Sequence, residues 1–195
     1  MIETLVVNDG STDTTAYEAK RAKVNVISHL LNRGAGAATK TGIDYAINNN
    51  ADIVVTFDAD GQHNSDDIQY VINPIITKQA DLVIGSRLKK DQKIPLDRLL
   101  LNWLANLVTF LLFGIFSTDS QSGLRAFSKK AIQLIDFKGD RMDFSSEILL
   151  EAKRNKLKII EVPITAIYTY YSRKKGQKNA NALSILIRFL VRFLG

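Results

Sequence analysis

The stretch IVVTFDADGQH, residues 53–63, runs a β-rich apolar segment straight into two carboxylates one residue apart. Residues 53–57 are continuously apolar or β-branched, the pattern of a strand covered on both faces. Asp58 and Asp60 would point to opposite sides if that strand continued through them. A turn begun at Gly61 could bring both toward one ion, with Gln62 adding a neutral oxygen. Such ligands suit Mg2+ or Mn2+, which take few protein groups and keep positions open for water and substrate phosphates. The same D-x-D spacing also arises in acidic loops that merely face water, so its meaning depends on context.

Outward from this segment, strand and helix patterns alternate at short spacing. Residues 2–7 form an apolar run, followed by the turn formers NDGSTD. Asp13 or Thr14 can cap a helix reaching about residue 22. Residues 24–30 predict a second strand, and NRGAG then leads into a helix over 37–49. After the D-x-D strand, a helix over 67–78 is interrupted by Pro74, which lacks the backbone donor. Residues 82–84 predict a strand ending in GSR. This alternation predicts an α/β fold, a mostly parallel sheet flanked by crossover helices. In such sheets ligands gather beyond the carboxyl ends of the strands. NDGSTD, NRGAG, DADGQH and GSR all fall at those ends.

The glycine loops fit that placement. Asp9 can accept a donor from a base or ribose, with Asn8 orienting the same turn. Gly34 and Gly36 allow close backbone approach before a helix N-terminus, a place suited to anions. Neither loop is a dinucleotide-binding fingerprint or a Walker signature.

The later chain differs in texture. LLLNWLANLVTFLLFGIF, residues 99–116, carries no charge and is near the lower limit for a membrane span. Asn102, Asn106 and Thr109 share one side of it by helical spacing, which favours a buried or interfacial helix over a span. Residues 145–155 predict a helix, and residues 158–162 a strand stopped at Pro163. The end, NALSILIRFLVRFLG at 181–195, is too short to cross a bilayer, and its Arg188 and Arg192 share one face. That composition suits an interfacial helix or a docking helix for a partner.

Composition narrows the classes further. The 195 residues carry a net charge of +6, with 46% hydrophobic and 24% charged residues, which fits one globular domain. The absence of cysteine excludes disulfides and thiolate chemistry, and two histidines leave little from which to build zinc coordination. RKKGQK at 173–178 concentrates base near the end, a surface for nucleotide phosphates or anionic lipid. No nucleic-acid recognition signature accompanies it. MIETLVVNDG lacks the basic region and cleavage site of a signal peptide.

VVNDGSTDTT, NRGAGAATKTGIDYA, FDADGQH, DLVIGSR and TDSQSGLRAF follow one another in an order that resembles the inverting GT-A glycosyltransferases of family 2. Within that family the pattern is most similar to the polyprenyl-phosphate (dolichyl-phosphate) mannosyl- and glucosyltransferases. The resemblance covers residues 2 to about 181 and implies a GT-A (nucleotide-diphospho-sugar transferase) fold. It makes residues 1–181 the catalytic domain and 182–195 an apolar, amphipathic C-terminal helix at a membrane interface or partner. It implies donor contacts from Asn8, Asp9, Gly10, Ser11, Gly36 and Asp58, with aspartate more usual where Asn8 stands. It implies Mg2+ or Mn2+ held by Asp58, Asp60 and Gln62, with Asp60 the principal ligand. Arg87 and Arg98 are implied as phosphate-contacting catalytic residues, and Asn102, Ser122 and Arg125 as further acceptor contacts. His63 is expected in a surface loop and His29 in a structural role.

The implied reaction moves a hexose, mannose or glucose, from a GDP- or UDP-sugar to polyprenyl phosphate, peripherally at the cytoplasmic face of the membrane. Arg173, Lys174 and Lys175 would meet anionic lipid there, and a protein partner or homo-oligomer is compatible. Three alternatives stand beside it: transfer to a saccharide hydroxyl, a sugar nucleotidyltransferase, and an inactive truncated membrane-associated binding module. A hydroxyl acceptor would call for a base, for which Asp119 and Glu147 are the available carboxylates. Members of the family begin with a further strand and helix, the strand lying inside the sheet beside residues 2–7. Measured against them the chain is N-terminally incomplete, and sheet edges without partners are expected.

Overall fold

The computed structural model describes residues 2–139 and 144–168. The basic run at 173–178 and the C-terminal segment 182–195 lie outside the described residues. Chain order is β1 (Leu5–Asn8), α1 (Thr15–Arg21), β2 (Asn25–Ser28), α2 (Ala35–Asn48), β3 (Ile53–Thr56), α3 (Ile68–Ile76) and β4 (Leu82–Ser86). There follow α4 (Leu96–Phe113), β5 (Arg125–Ser128), α5 (Lys129–Leu134), α6 (Phe144–Arg154) and β6 (Ile159–Pro163). Thr14 is the N-cap of α1 and makes no side-chain cap bond, while Asp13 before it accepts the Thr15 N–H at 3.0 Å. Pro74 does not break α3: it lies inside the helix, which runs two residues beyond it.

The strands form two groups. β1 and β2 pair in parallel, and a second sheet has the order β3-β5-β4-β6. Within it β3, β4 and β6 run one way and β5 runs against them. The mostly parallel sheet is therefore present, with one reversed strand that residues 125–128 had not signalled. Among the described residues β1 pairs only with β2 and β3 only with β5, so the sheet edges expected to lack partners are those of β1 and β3.

Residue alternation on the strands builds a core on each face. Leu82, Ile84 and Phe127 point toward α5 and α6, packing with Ile132, Ile148 and Leu149. Val83 and Ala126 point the other way and pack with Val71 and Ile75 of α3. Three layers result, with β4 wholly buried at their centre.

The reversed strand matters for the site. Arg125 lies opposite both Thr56, at the end of β3, and Ile84 of β4. The loop that enters β5 therefore arrives where β3 and β4 leave. Residues 117–124 join the carboxyl-end loops by this geometry.

α4 lies apart from the core, and Thr109 is its one buried residue. It is long and apolar enough, by length and composition alone, to cross a membrane. Its polar side is instead stitched to the loop before β5. Asn102 donates to Asp119 at 3.0 Å, Asn106 donates to the Thr118 carbonyl at 2.6 Å, and Thr109 meets Ser146 at 3.0 Å. Gly114, left-handed at φ 60°, ends the helix. The helix is thus neither a core helix nor free of the domain.

Candidate active site

The carboxyl ends of the strands carry two clusters. The first is built by β1 and β2. Gly10 takes φ 68°, and a Cβ there would stand 2.6 Å from the Asn32 backbone nitrogen, so the two loops touch through glycine. Asn8 orients the turn: its side chain accepts the Ser11 N–H at 3.0 Å and reaches Ser28 at 3.3 Å. Asp9 then crosses to the loop before α2, accepting the Arg33 N–H at 3.0 Å and the Gly34 N–H at 2.6 Å. His29 joins Asp9 at 2.7 Å and Thr41 at 2.9 Å, the structural role expected of it. Burial raises the Asp9 pKa, but the donors from Arg33, His29 and Gly34 outweigh it and hold the carboxyl below its ordinary range.

Asp9 therefore fastens the loop from the inside. Ser11 is exposed beside it, and Gly36 is buried in the first turn of α2. Asn8, Asp9, Gly10, Ser11 and Gly36 thus stand in one neighbourhood, with Asn8 and Asp9 holding its shape, while Asp58 lies in the second cluster.

The second cluster lies at the ends of β3 and β4. Gly61 makes the expected turn at φ 77°. Gln62 folds back on Asp60, its backbone N–H 2.9 Å and its amide nitrogen 2.7 Å from the carboxylate. Turning that amide over would present its oxygen to the same space. Asp58 stays open to solvent, yet its carboxyl is flanked by protein. Burial raises its pKa, and Asp60 adds to the rise against the opposing pull of His63, Arg125 and Arg87. Two crowded carboxylates with a neutral amide beside them fit a hard divalent cation, which would relieve their repulsion.

Gly123 supplies the seat for Asp58. A Cβ at that position would lie 1.9 Å from Asp58 Oδ2, and the Gly123 carbonyl accepts from Thr56 at 3.0 Å. This contact could not be read along the chain, since 65 positions separate the two residues.

Across the cleft stands Arg87. Its backbone N–H and Nε donate to Asp119 Oδ2 at 3.0 and 2.7 Å, and its Nη2 donates to Oδ1 at 2.7 Å. Burial works against the charge, but Asp119 more than offsets it and lifts Arg87 above the usual arginine range. Arg98 and Tyr168 lie in the same field, the Tyr168 phenol being raised chiefly by burial. The Asn102 amide oxygen and the Ser122 hydroxyl are buried without a hydrogen-bond partner among the described residues. Both stand among the residues expected to contact the acceptor.

Two expectations are corrected. Arg125 is not at the acceptor surface: it is 2% exposed and spends its donors on the carbonyls of Ser122, Ser145 and Ser120. Burial draws its pKa down to about 10 while leaving it a cation at neutral pH. It is a post under the loop that enters β5. His63 is not in a surface loop: it is 8% exposed, packed edge-on to Phe57, and its Nδ1 has no partner among the described residues. Burial lowers its pKa against the attraction of Asp58. Residue 63 bridges to Ala166, which clips the D-x-D turn beneath the segment after β6.

Two outcomes follow from these contacts. Asp9→Asn should cost about 1–2 kcal/mol of stability at neutral pH. Because the folded-state pKa is depressed, that difference is present above the ordinary carboxylate range and disappears as pH falls through the folded value; urea titrations at several pH values measure it. Gly123→Ala should drive the Asp58 carboxylate from its seat and weaken Mn2+ binding about 10-fold or more. Calorimetric titration with Mn2+ reads this, and an unchanged far-UV spectrum separates it from unfolding.

Comparison with known proteins supports the same outline. Residues 1–135 match the family model described as Glycosyl transferase family 2. The UDP-N-acetylglucosamine–dolichyl-phosphate N-acetylglucosaminyltransferase of Methanococcus voltae is 42% identical, over 98% of this chain and 85% of that protein. The undecaprenyl-phosphate mannosyltransferase of Micrococcus luteus is 30% identical, over 85% of this chain and 72% of that protein. Glucosyl-3-phosphoglycerate synthase from Mycobacterium tuberculosis, solved with Mn2+, UDP and glucosyl-3-phosphoglycerate, superposes with a TM-score of 0.66 at 18% identity, over 96% of this chain and 68% of that one. With phosphoglyceric acid alone it reaches 0.73, over 98% and 69%. The acid pair, the glycine loops and the sheet that carries them are those of an enzyme, and the chain belongs to glycosyl transferase family 2.

Proposed function

We propose that the chain transfers a sugar from a nucleoside-diphosphate sugar to the phosphate of a polyprenyl lipid, while resting on a membrane surface. The observation that carries this reading is the two-sided character of α4. One side, Asn102 and Asn106, is bonded to the turn that holds Arg87 through Asp119. Another side sets Leu96, Leu100, Trp103 and Phe110 outward at helical spacing, with Leu100 65% and Trp103 60% exposed. A helix that ties polar groups to the turn holding Arg87 and sets apolar groups to solvent suits an acceptor with a charged head and a lipid tail.

The chemistry is consistent with that acceptor. A phosphate oxygen attacks the anomeric carbon, the bond to the nucleoside diphosphate breaks, and no proton need be removed. A sugar hydroxyl would need a base. Asp119 is fully buried and already accepts from Arg87 and Asn102, which leaves it poorly placed for that work. Glu147 accepts the Gly139 N–H at 2.7 Å. Asp58, Asp60 and Gln62 would hold Mg2+ or Mn2+, which supplies charge stabilisation to the departing diphosphate. Arg87 presents a planar fork suited to phosphate oxygens, oriented by Asp119 before substrate arrives. The name of the 42% relative adds UDP-N-acetylglucosamine to the mannose and glucose donors that the motif pattern implies.

The decisive assay incubates the chain with Mn2+, polyprenyl phosphate and, separately, UDP-N-acetylglucosamine, GDP-mannose and UDP-glucose. A lipid-linked monosaccharide is expected with one donor, and Asp60→Ala should lower its rate by at least about 100-fold without unfolding the protein. Product on a saccharide acceptor alone, pyrophosphate released from a nucleoside triphosphate, or no turnover at all would each replace the reading.

The membrane part has its own test. Replacing Leu100 and Trp103 together by serine should lower binding to anionic vesicles about 10-fold. Turnover on a short, water-soluble prenyl phosphate should persist. Unchanged vesicle binding would remove α4 from the membrane contact.

A further inference from the structure

Glu161 is an acidic residue in the middle of the apolar strand β6, IIEVP, with its side chain 12% exposed. A carboxylate in that position is costly unless donors surround it. Three do, all from one turn. Oε1 accepts the Ser117 hydroxyl at 2.6 Å and the Thr118 N–H at 2.8 Å, and Oε2 accepts the Thr118 hydroxyl at 2.6 Å. Lys89 stands 3.8 Å from Oε2 and donates to the Glu161 carbonyl at 3.2 Å.

The contacts continue in two directions. Ser117 Oγ accepts the Asp119 N–H at 3.2 Å, so the anchored hydroxyl holds the residue that grips Arg87. The Thr118 proton is committed to Glu161, so Ser86 donates to Thr118 Oγ1 at 2.7 Å and accepts the Leu88 N–H at 3.2 Å. Residues on both sides of Arg87 are thereby tied to the same carboxylate. Every hydroxyl in the relay has its proton directed toward Glu161, a polarity that a neutral side chain of the same shape cannot reproduce.

We infer that Glu161 is a positioning residue for transfer. It fixes the turn at 117–119, and through Asp119 it sets the guanidinium of Arg87 toward the phosphate. The inference rests on the phosphate-facing role of Arg87 given above. Glu161→Gln keeps the volume but offers an N–H where one of the hydroxyls now donates. The turn must then rearrange, and Arg87 loses its fixed aim.

The test is a double-mutant cycle on kcat/KM for polyprenyl phosphate, using the full chain and the donor that supports turnover. Glu161→Gln alone should reduce kcat/KM about 10-fold or more, as a small misplacement of a reacting contact does. Nucleotide binding with Mn2+, measured by calorimetry, should stay within about threefold. In an Arg87→Lys background the same substitution should cost less than about threefold, because there is no fork left to aim. Thr118→Val, which cuts the hydroxyl's two links to Glu161 and Ser86 and leaves every carboxylate in place, should repeat the pattern at smaller size and serves if Glu161→Gln folds poorly. Equal losses in both backgrounds, or joint loss of nucleotide binding and folding for both variants, would make Glu161 a general structural residue and overturn the inference. A wild-type chain inactive with every donor would overturn the proposed function first and this inference with it. An active wild type with additive substitutions would overturn this inference alone.

Discussion

The buried grip of Asp119 on Arg87 is the constraint around which the rest of the site is arranged. A fully buried carboxylate is tolerable only when its oxygens are saturated with donors. Here the guanidinium, its own backbone N–H and Asn102 do so. The pair joins β4 to the loop before β5, and Asn102 brings α4 to the same point. Remove it, and three elements lose their common attachment beside the acid pair. Arg125 performs the complementary task from below, holding carbonyls of that loop and of the start of α6 from a fully buried position. One arginine faces the cleft and one holds its wall, a division that a motif cannot express.

The two charged groups of the cleft oppose each other. Asp58 and Asp60 gather negative charge where β3 ends, while Arg87 brings positive charge from the end of β4. Opposite charges therefore stand at the carboxyl ends of two strands of one sheet. Gly123 sets the spacing, since only a residue without a side chain lets the reversed loop close on Asp58. Function here depends on a backbone passing closely beneath a carboxylate.

Much of this was legible along the chain. Period and turn residues placed the parallel strands and most helices to within a few positions, because local propensity and tertiary packing agree there. The D-x-D turn, the glycine at residue 10 and the polar stripe of α4 act through neighbours at short spacing. What escaped was non-local. β5, RAFS, carries no β-branched residue to mark a strand, and α5 is only six residues long, too brief for periodicity to register. The burial of His63 arises from a bridge to residue 166, and the withdrawal of Arg125 arises from carbonyls spread over residues 120–145. Chemical type identified those side chains as capable of contact; topology decided which of them meet solvent.

The divided sheet carries a consequence for how evenly the molecule holds together. β1 and β2 form a ladder of two strands beside one of four, and α2 packs against both β1 and β3. A two-stranded ladder draws little from its own hydrogen bonds and depends on what covers it. The loops after β1 and β2 therefore ride on the layer with the lower free energy of opening, while the arginine and acid pair ride on the tighter one. Warming or mild denaturant would loosen the turn fastened by Asp9 well before it disturbed the clasp on Arg87.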